Sequence, residues 1–362
     1  MGIPFISVVM PVYNCSDYLR QSLDSVVNQS LEDIEIICVD DCSRDGSLEI
    51  ISEYAEKDRR LQIICNEKNE GALSARTKGV LAAKGRYTLF LDADDYLSRK
   101  ACEELYGIAE EHKVDVLAHS YCFFECDAQA APESGIHMDP QPELITRDPS
   151  EIKSLYFLRP DSRKRTTLWG KLYNTDILKS AHKAVMKDYR GCGEDIYESF
   201  LISYYAKSIE FAVTEPLYFY CKGRGISGRR LLNLTEFERY CQMGNLVESL
   251  KAFLQMEGTF EENKTYWSSF KQRLLEDCYI TCAERIKPDE YDEAVDMMKK
   301  YWGSTMNDDS AIKGLLSSYN TWYKWARELE SGKEWMLKQL EYKDQQIKNL
   351  RNGNLNGRAD GQ

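Results

Sequence analysis

The strongest constraint on this fold is a regular alternation of short apolar runs with helix-like stretches from Phe5 to about Ala118. "FISVVMPVY", "IEIICVDD", "LQIICNE", "YTLFLDADD" and "VDVLAHS" read as strands, because short, nearly continuous runs of Val, Ile, Leu and Phe suit strands covered on both faces. Between them, "SDYLRQSLDSVVNQS", "SRDGSLEIISEYAEKD", "GALSARTKGVLAAKG" and "RKACEELYGIAEEHK" carry apolar residues at helical spacing. Ser16 or Asp17 is the expected N-cap of the first helix. Strands linked through helices need crossover connections. The expectation is therefore an α/β fold with a mainly parallel sheet flanked by helices.

The alternation then stops. Residues 127–150, with Pro132, Pro140, Pro142 and Pro149, read as an irregular connection. Next come a helix ("SEIKSLYFL"), the basic "RPDSRKRTT", "LWGKLYNTDILKS", "RGCGEDIYESFLISYYAK", a strand-like "PLYFYCK" and the glycine- and arginine-rich "GRGISGRR". From Leu234 to Glu330 the period is mostly helical, giving a helical C-terminal region. Its stripe of Tyr240, Phe253, Trp267, Phe270, Tyr301, Trp322 and Trp325 reads most simply as helix packing. In "KEWMLKQLEYKDQQIKNL", Leu340, Ile347 and Leu350 stand near heptad spacing but Lys343 interrupts the seam. That segment is a short coiled coil, offering a route to a homo-oligomer, or a lone surface helix; "RNGNLNGRADGQ" reads as disordered.

A net charge of −12 over 362 residues argues against a nucleic-acid partner held through phosphates and against lipid anchorage by overall charge. No apolar run approaches the roughly 20 residues of a membrane-spanning helix. "MGIPFISVVMPVYN" enters a strand pattern at once, without a signal-peptide pattern, so the expected location is cytoplasmic. The twelve cysteines include no CxxC, so reduced thiols serving as small core residues account for them best. His119 with Cys122 and Cys126 is the nearest approach to a zinc set.

Two acidic clusters fall at strand ends, where such sheets bind ligands. Asp92 and Asp94, two apart, point to one side and offer hard oxygens that suit Mg²⁺ or Mn²⁺ shared with substrate phosphates. The bland alternative is a solvated turn, one aspartate capping the next helix. Asp40 and Asp41 present acceptors that favour a base with a ring N–H, such as uracil, and Tyr13 offers a stacking face. A turn residue bonding its own backbone ahead of Asp45 is the alternative for Asp41. Glu194 and Asp195 follow two glycines, where a chain can approach a ligand; they also suit the first turn of a helix.

Together, "ISVVMPVYNCSDYLRQSLDSVVNQS", "IICVDDCSRDGS", "NEGALSARTKG", "AKGRYTLFLDADD" and "GCGEDIYESF" resemble the family 2 glycosyltransferases, inverting enzymes with the GT-A fold, as far as about residue 230. The resemblance implies residues 1–120 as the nucleotide-sugar half and 121–232 as the acceptor and catalytic half. Residues 233–330 form the helical region, and 331–362 a terminal helix and tail. It implies that Tyr13 and Asp41 hold uracil with Asp40 beside them, that Pro11 joins the donor set, and that Arg76 sits near the nucleotide. Asp92 and Asp94 would be the metal pair, Mn²⁺ or Mg²⁺ bound mainly by Asp94, with Asp95 toward the sugar or ribose. Asp195 matches the catalytic base, with Glu194 next to it. "YFYCKGRGISGRR" resembles a basic loop over the diphosphate, which nominates Lys222, Arg224, Ser227 and Arg229. The processive QxxRW signature does not occur, which favours one sugar per encounter.

The expected partners are a UDP-sugar donor and a saccharide, lipid-linked glycan or glycoprotein acceptor, met in solution or peripherally at the inner face of the plasma membrane. Trp169 is a candidate acceptor platform, with core packing as the alternative. The basic run Arg163 to Arg165 suits an anionic acceptor or a solvated loop. Two other readings stand beside transfer. A nucleotidyltransferase lacks the glycine-rich basic phosphate loop it would need. A non-catalytic nucleotide-sugar-binding scaffold, holding a partner through its C-terminal helices, would have no need of the intact acids.

Overall fold

A computed structural model describes residues 2–125, 137–138, 144–159, 162–222 and 231–303. Most of the 127–150 connection, Cys126, Arg224, Ser227, Arg229, Trp322, Trp325 and the heptad-like terminal segment lie outside the described residues, as do the side chains of Arg163, Lys164 and Lys222.

The first half is β1 (Ile6–Val12), α1 (Ser16–Val27), β2 (Ile34–Asp40), α2 (Ser47–Ala55), β3 (Leu61–Cys65), α3 (Ala72–Ala82), β4 (Tyr87–Phe90), β5 (Tyr96–Leu97), α4 (Ala101–His112) and β6 (Val116–His119). There follow β7 (Tyr121–Glu125), β8 (His137–Met138), β9 (Leu144–Thr146), α5 (Pro149–Phe157), β10 (Lys171–Asn174), α6 (Thr175–Lys183), α7 (Glu194–Tyr205), β11 (Ile209–Ala212) and β12 (Tyr218–Lys222). The C-terminal region is α8 (Leu234–Cys241), α9 (Met243–Met256), α10 (Phe260–Arg285) and α11 (Tyr291–Trp302).

The main sheet has eight strands in the order β3-β2-β1-β4-β10-β6-β11-β9. It is the mainly parallel sheet that the alternation implies, and of the GT-A type that the family resemblance implies: β3, β2, β1 and β4 are parallel neighbours, as are β6 and β11. β10 runs antiparallel between β4 and β6. The chain moves from β1 out to β3 and returns to β4 on the other side of β1. The direction of progress across the sheet therefore reverses at β1/β4, where open α/β sheets place ligands. A second sheet, β5-β12-β7-β8, joins the acid loop after β4 to the later strands.

Side-chain alternation along the strands builds a core on each face. Ile6, Val8 and Met10 share one with Leu19 of α1 and Leu105 of α4, while Val9 shares the other with Leu73 and Val80 of α3. The second core continues without a break through α7 and α10, where Phe157, Phe200 and Phe270 meet, to Trp302. Phe253 and Phe270 of the aromatic stripe are buried there, and Tyr240, Trp267 and Tyr301 pack against them. Among the described residues no helix is long and apolar enough to cross a membrane.

Two local readings change. Cys15, not Ser16 or Asp17, is the N-cap of α1, and its side chain makes no capping bond. Instead, the loop after β2 satisfies the helix start: Ser16 N–H donates to Asp45 Oδ2 and Cys15 N–H to Ser47 Oγ, both at 3.0 Å. The strand expected through "YTLFLDADD" ends at Phe90, so the aspartates stand in the loop beyond it.

Candidate active site

The loops after β1 and β2 form one side of the site and are tied together. Asn14 N–H donates to Ser43 Oγ at 3.1 Å, Arg44 N–H to Asn14 Oδ1 at 2.8 Å, and Ser43 N–H to Asp40 Oδ2 at 3.1 Å. Asn14 and Cys42 both take positive φ, 49° and 61°, so two non-glycine residues hold left-handed backbone at this one spot. Pro11 ends up half-buried near the end of β1, and the Tyr13 ring is 45% exposed at the rim.

The two aspartates of this loop are occupied differently. Asp41 Oδ1 accepts from Asn66 Nδ2 and Glu70 N–H and its Oδ2 from Gly71 N–H, all at 2.7 Å. Asp41 therefore bonds neither its own turn nor an open face; it clamps the loop that leads into α3. Asp40, 2% exposed, keeps Oδ1 without a partner, the buried acceptor left over on this side.

The acid loop after β4 divides in the same way. Asp95 is 1% exposed; its Oδ2 accepts from Tyr218 Oη–H at 2.6 Å and its Oδ1 from Cys221 N–H at 2.7 Å. The expectation that Asp95 faces sugar or ribose is corrected: it docks β12 onto the loop. Burial, Asp92 and Asp94 push its carboxyl up to about 8, opposed by those two donors. Asp92 is pushed up to about 6, first by burial, with Arg76 opposing and Asp94, Glu194 and Asp195 adding repulsion. The loop and the start of α7 thus share one electrostatic neighbourhood although a hundred residues separate them.

At the start of α7, Gly193 holds φ 80° as N-cap, and a Cβ there would stand 3.0 Å from Leu274 Cδ2 and 3.3 Å from Met243 Cγ. Asp195 Oδ1 accepts from Ile196 N–H at 2.8 Å. Its carboxyl rises to about 6 through burial first and Glu194 second, with Arg76 and Arg273 opposing. Arg76 is not open to a nucleotide. Its Nε and Nη2 form a fork onto Glu198 at 2.8–3.2 Å, and Nη2 also donates to Glu194 Oε1 at 3.1 Å. Burial works against the Arg76 charge, but Glu198, Glu194 and Asp92 outweigh it and raise its pKa. α3 reaches this position because Gly79, one turn beyond Arg76, lies where a Cβ would be 2.4 Å from Val9 Cγ1.

Sequence reasoning missed Glu198, although its spacing of four from Glu194 puts both on one face of α7. It is 1% exposed, pushed up to about 8 by burial against the opposing guanidinium, and lies 3.5 Å from His182 Nε2. Burial and Arg76 push His182 down to about 3, so the imidazole is neutral.

Trp169 stacks on Tyr218 and Tyr220, each at 5.1 Å, and meets Tyr121 edge-on at 4.8 Å. The packing alternative holds for these faces of the ring, and through Tyr218 it supports Asp95. Lys222 ends β12, one residue after the Asp95 contact.

For a divalent cation, Asp92 and Asp94 are hard oxygen donors in a region of surplus negative charge, so they fit. Among the described residues no group of three or more His, Cys, Asp or Glu is arranged to hold a metal ion. Asp92 and Asp94 would be the residues that hold it, the pattern of cations shared with substrate phosphates.

Residues 7–178 match the family model for glycosyl transferase family 2. The glycosyltransferase EpsH of Bacillus subtilis is 33% identical over 275 residues, 75% of each chain. The poly(ribitol-phosphate) beta-glucosyltransferase of Bacillus spizizenii is 30% identical over 252 residues, 68% of this chain and 37% of that one. Among solved structures, S. aureus TarS 1-349 in complex with UDP-GlcNAc aligns with a TM-score of 0.49 and 20% identity, covering 83% of this chain and 91% of that one.

Proposed function

The chain belongs to glycosyl transferase family 2 and is a glycosyltransferase; we propose that it moves one hexosyl or N-acetylhexosaminyl unit from a UDP-sugar to an acceptor hydroxyl with inversion, aided by Mn²⁺ or Mg²⁺. The observation that carries this reading is that Glu194 and Asp195, at the start of α7, act electrostatically on Asp92, in the loop after β4 beside the β1/β4 switch, so acids from two halves of the chain come together. Inversion needs a base on the face of the sugar opposite the leaving diphosphate. Asp195 suits that role: its carboxyl is held near 6, ionised at neutral pH yet more basic than an ordinary aspartate. Glu194 is tied to Arg76 and leaves Asp195 the less committed acid. Tyr13 supports a base by stacking, and the orphaned Asp40 Oδ1 supports an N–H donor such as that of uracil. Asp94 and Asp92 would hold the cation, which when bound supplies positive charge to the diphosphate.

A bacterial surface glycan (capsule, exopolysaccharide or glycoconjugate) is the product class this reading favours, in keeping with the poly(ribitol-phosphate) relative. This reading has the reaction run in the cytoplasm or at the inner face of the membrane. Transfer assays with a panel of UDP-sugars test the activity. Asp195→Asn is expected to abolish transfer while UDP still binds; near-normal turnover in that variant would remove Asp195 as base. Calorimetry of UDP with and without Mn²⁺ tests the cation: Asp94→Ala should lose the metal-dependent part of the affinity and keep the rest.

A further inference from the structure

Helix α1 and the turn that ends it bury more than an apolar stripe. Leu19, Leu23 and Val26 face the core, but Ser22 is fully buried beside them and Gln29 is 6% exposed. With Ser25 between, these polar residues follow at spacings of three and four, which sets them on one side. Buried hydroxyls and amides need partners, and here the partners beyond α1 come from one segment, Ala93–Cys102, that contains the end of the acid loop. The Ser22 hydroxyl lies between the Ala93 carbonyl, at 2.8 Å, and the Asp95 carbonyl, and shares its proton between them. Ser25 Oγ accepts from Leu97 N–H at 3.2 Å. Gln29 Nε2 donates to the Ser98 carbonyl at 2.7 Å, and its Oε1 accepts from Cys102 N–H at 2.9 Å. From β12, Tyr218 Oη accepts from Asp92 N–H at 3.3 Å while donating to Asp95. Asp95 N–H closes the turn on the Asp92 carbonyl at 3.0 Å.

The turn is thus held at Asp92, Ala93 and Asp95. Ala93 and Asp95 are buried against these donors, while Asp92 and Asp94 stay half-buried and reachable. The start of α1 is anchored to the base side of the cleft, through Cys15 and Ser16 N–H on Ser47 and Asp45 of the loop after β2. Ser22 lies roughly 9 Å along the helix axis from Ser16. A packed helix is a stiff spacer, so the two ends of α1 hold the two sides of the donor cleft at a set separation. We infer that Ser22 is a positioning residue for the cation pair: together with the Tyr218 hydroxyl it fixes the turn that presents Asp92 and Asp94, and α1 sets how far that pair stands from the base side. This rests on the reading in which Asp92 and Asp94 hold the cation. The separation matters for a nucleoside diphosphate, whose base and diphosphate are covalently joined and must meet both ends of α1 at once.

Calorimetry on the full chain, with UDP in the presence and absence of Mn²⁺, separates this role from general support of the fold. In Ser22→Ala the Mn²⁺-dependent gain in UDP affinity should fall by about five- to tenfold, while metal-free UDP affinity stays within about twofold of wild type. Tyr218→Phe keeps the ring stacked on Trp169 at 5.1 Å and removes only the hydroxyl. It should show the same split, and it carries the test should Ser22→Ala not fold. A wild-type Mn²⁺-dependent gain in Ser22→Ala overturns the inference. So does an equal loss with and without Mn²⁺, which is the mark of general loosening. Wild-type protein whose UDP affinity ignores Mn²⁺ would reject the cation reading itself, a separate result because it shows before any substitution is made.

Discussion

The acid loop after β4 and the start of α7 each crowd three carboxylates into a few residues, yet they settle the repulsion by opposite means. At α7 the cation is built in: Arg76 takes Glu198 by a fork and Glu194 by a single bond, and Asp195 is left over. In the loop one acid, Asp95, is held by donors from β12, while Asp92 is opposed by Arg76, already spent on the other cluster. The first arrangement is complete without a ligand. The second stores repulsion at Asp92, which the divalent cation of the proposed reaction would relieve.

Five substitutions bear on that contrast. The largest effect should come from Asp195→Asn, which as loss of a general base is expected to cost about 10²–10⁴ in kcat; Glu194→Gln should cost far less, and equal losses in parallel assays would dissolve the distinction drawn between them. Arg76→Met should destabilise the fold by roughly 3–5 kcal/mol in urea titrations, since it strands the buried Glu198 and the half-buried Glu194; a loss under about 1 kcal/mol would mean that the built-in cation is not what holds α7.

Asp92→Asn should act in the other direction. The folded carboxyl titrates near 6, above the ordinary aspartate value, so the folded state binds this proton more tightly than the unfolded state. The penalty is absent below about pH 4, grows as pH rises, and is complete above about 6. The variant should therefore be more stable than wild type by on the order of 1–3 kcal/mol at pH 8 and no more stable at pH 4. A flat difference across that range would show no stored repulsion. The smallest effect, about 1–2 kcal/mol, is expected from Tyr218→Phe, which removes one of the two donors to Asp95; thermal melts would show it.

The layout of the first half was legible because β1, β2, β3, β4 and β6 are short apolar runs separated by helical stretches, and both acidic clusters were legible as strand-end features. What escaped notice depends on distant partners. β10 is four residues, "KLYN", whose place between β4 and β6 follows from pairing and not from period. Asp95 reads like its neighbours in sequence; only Tyr218, more than a hundred residues on, turns it inward. Arg76 looked like a nucleotide contact because nothing local to "ALSAR" reveals Glu198. Of these, Glu198 alone carried a usable local signal, its four-residue spacing from Glu194.

The left-handed Gly193 bears on how this enzyme could be re-engineered. A side chain there is refused by φ and again by Leu274 and Met243, which belong to the C-terminal helices. A graft of the 190–198 segment that carries another residue at 193 needs matching changes in α9 and α10, so the turn that starts α7 and the distant helical region behave as one exchangeable cassette.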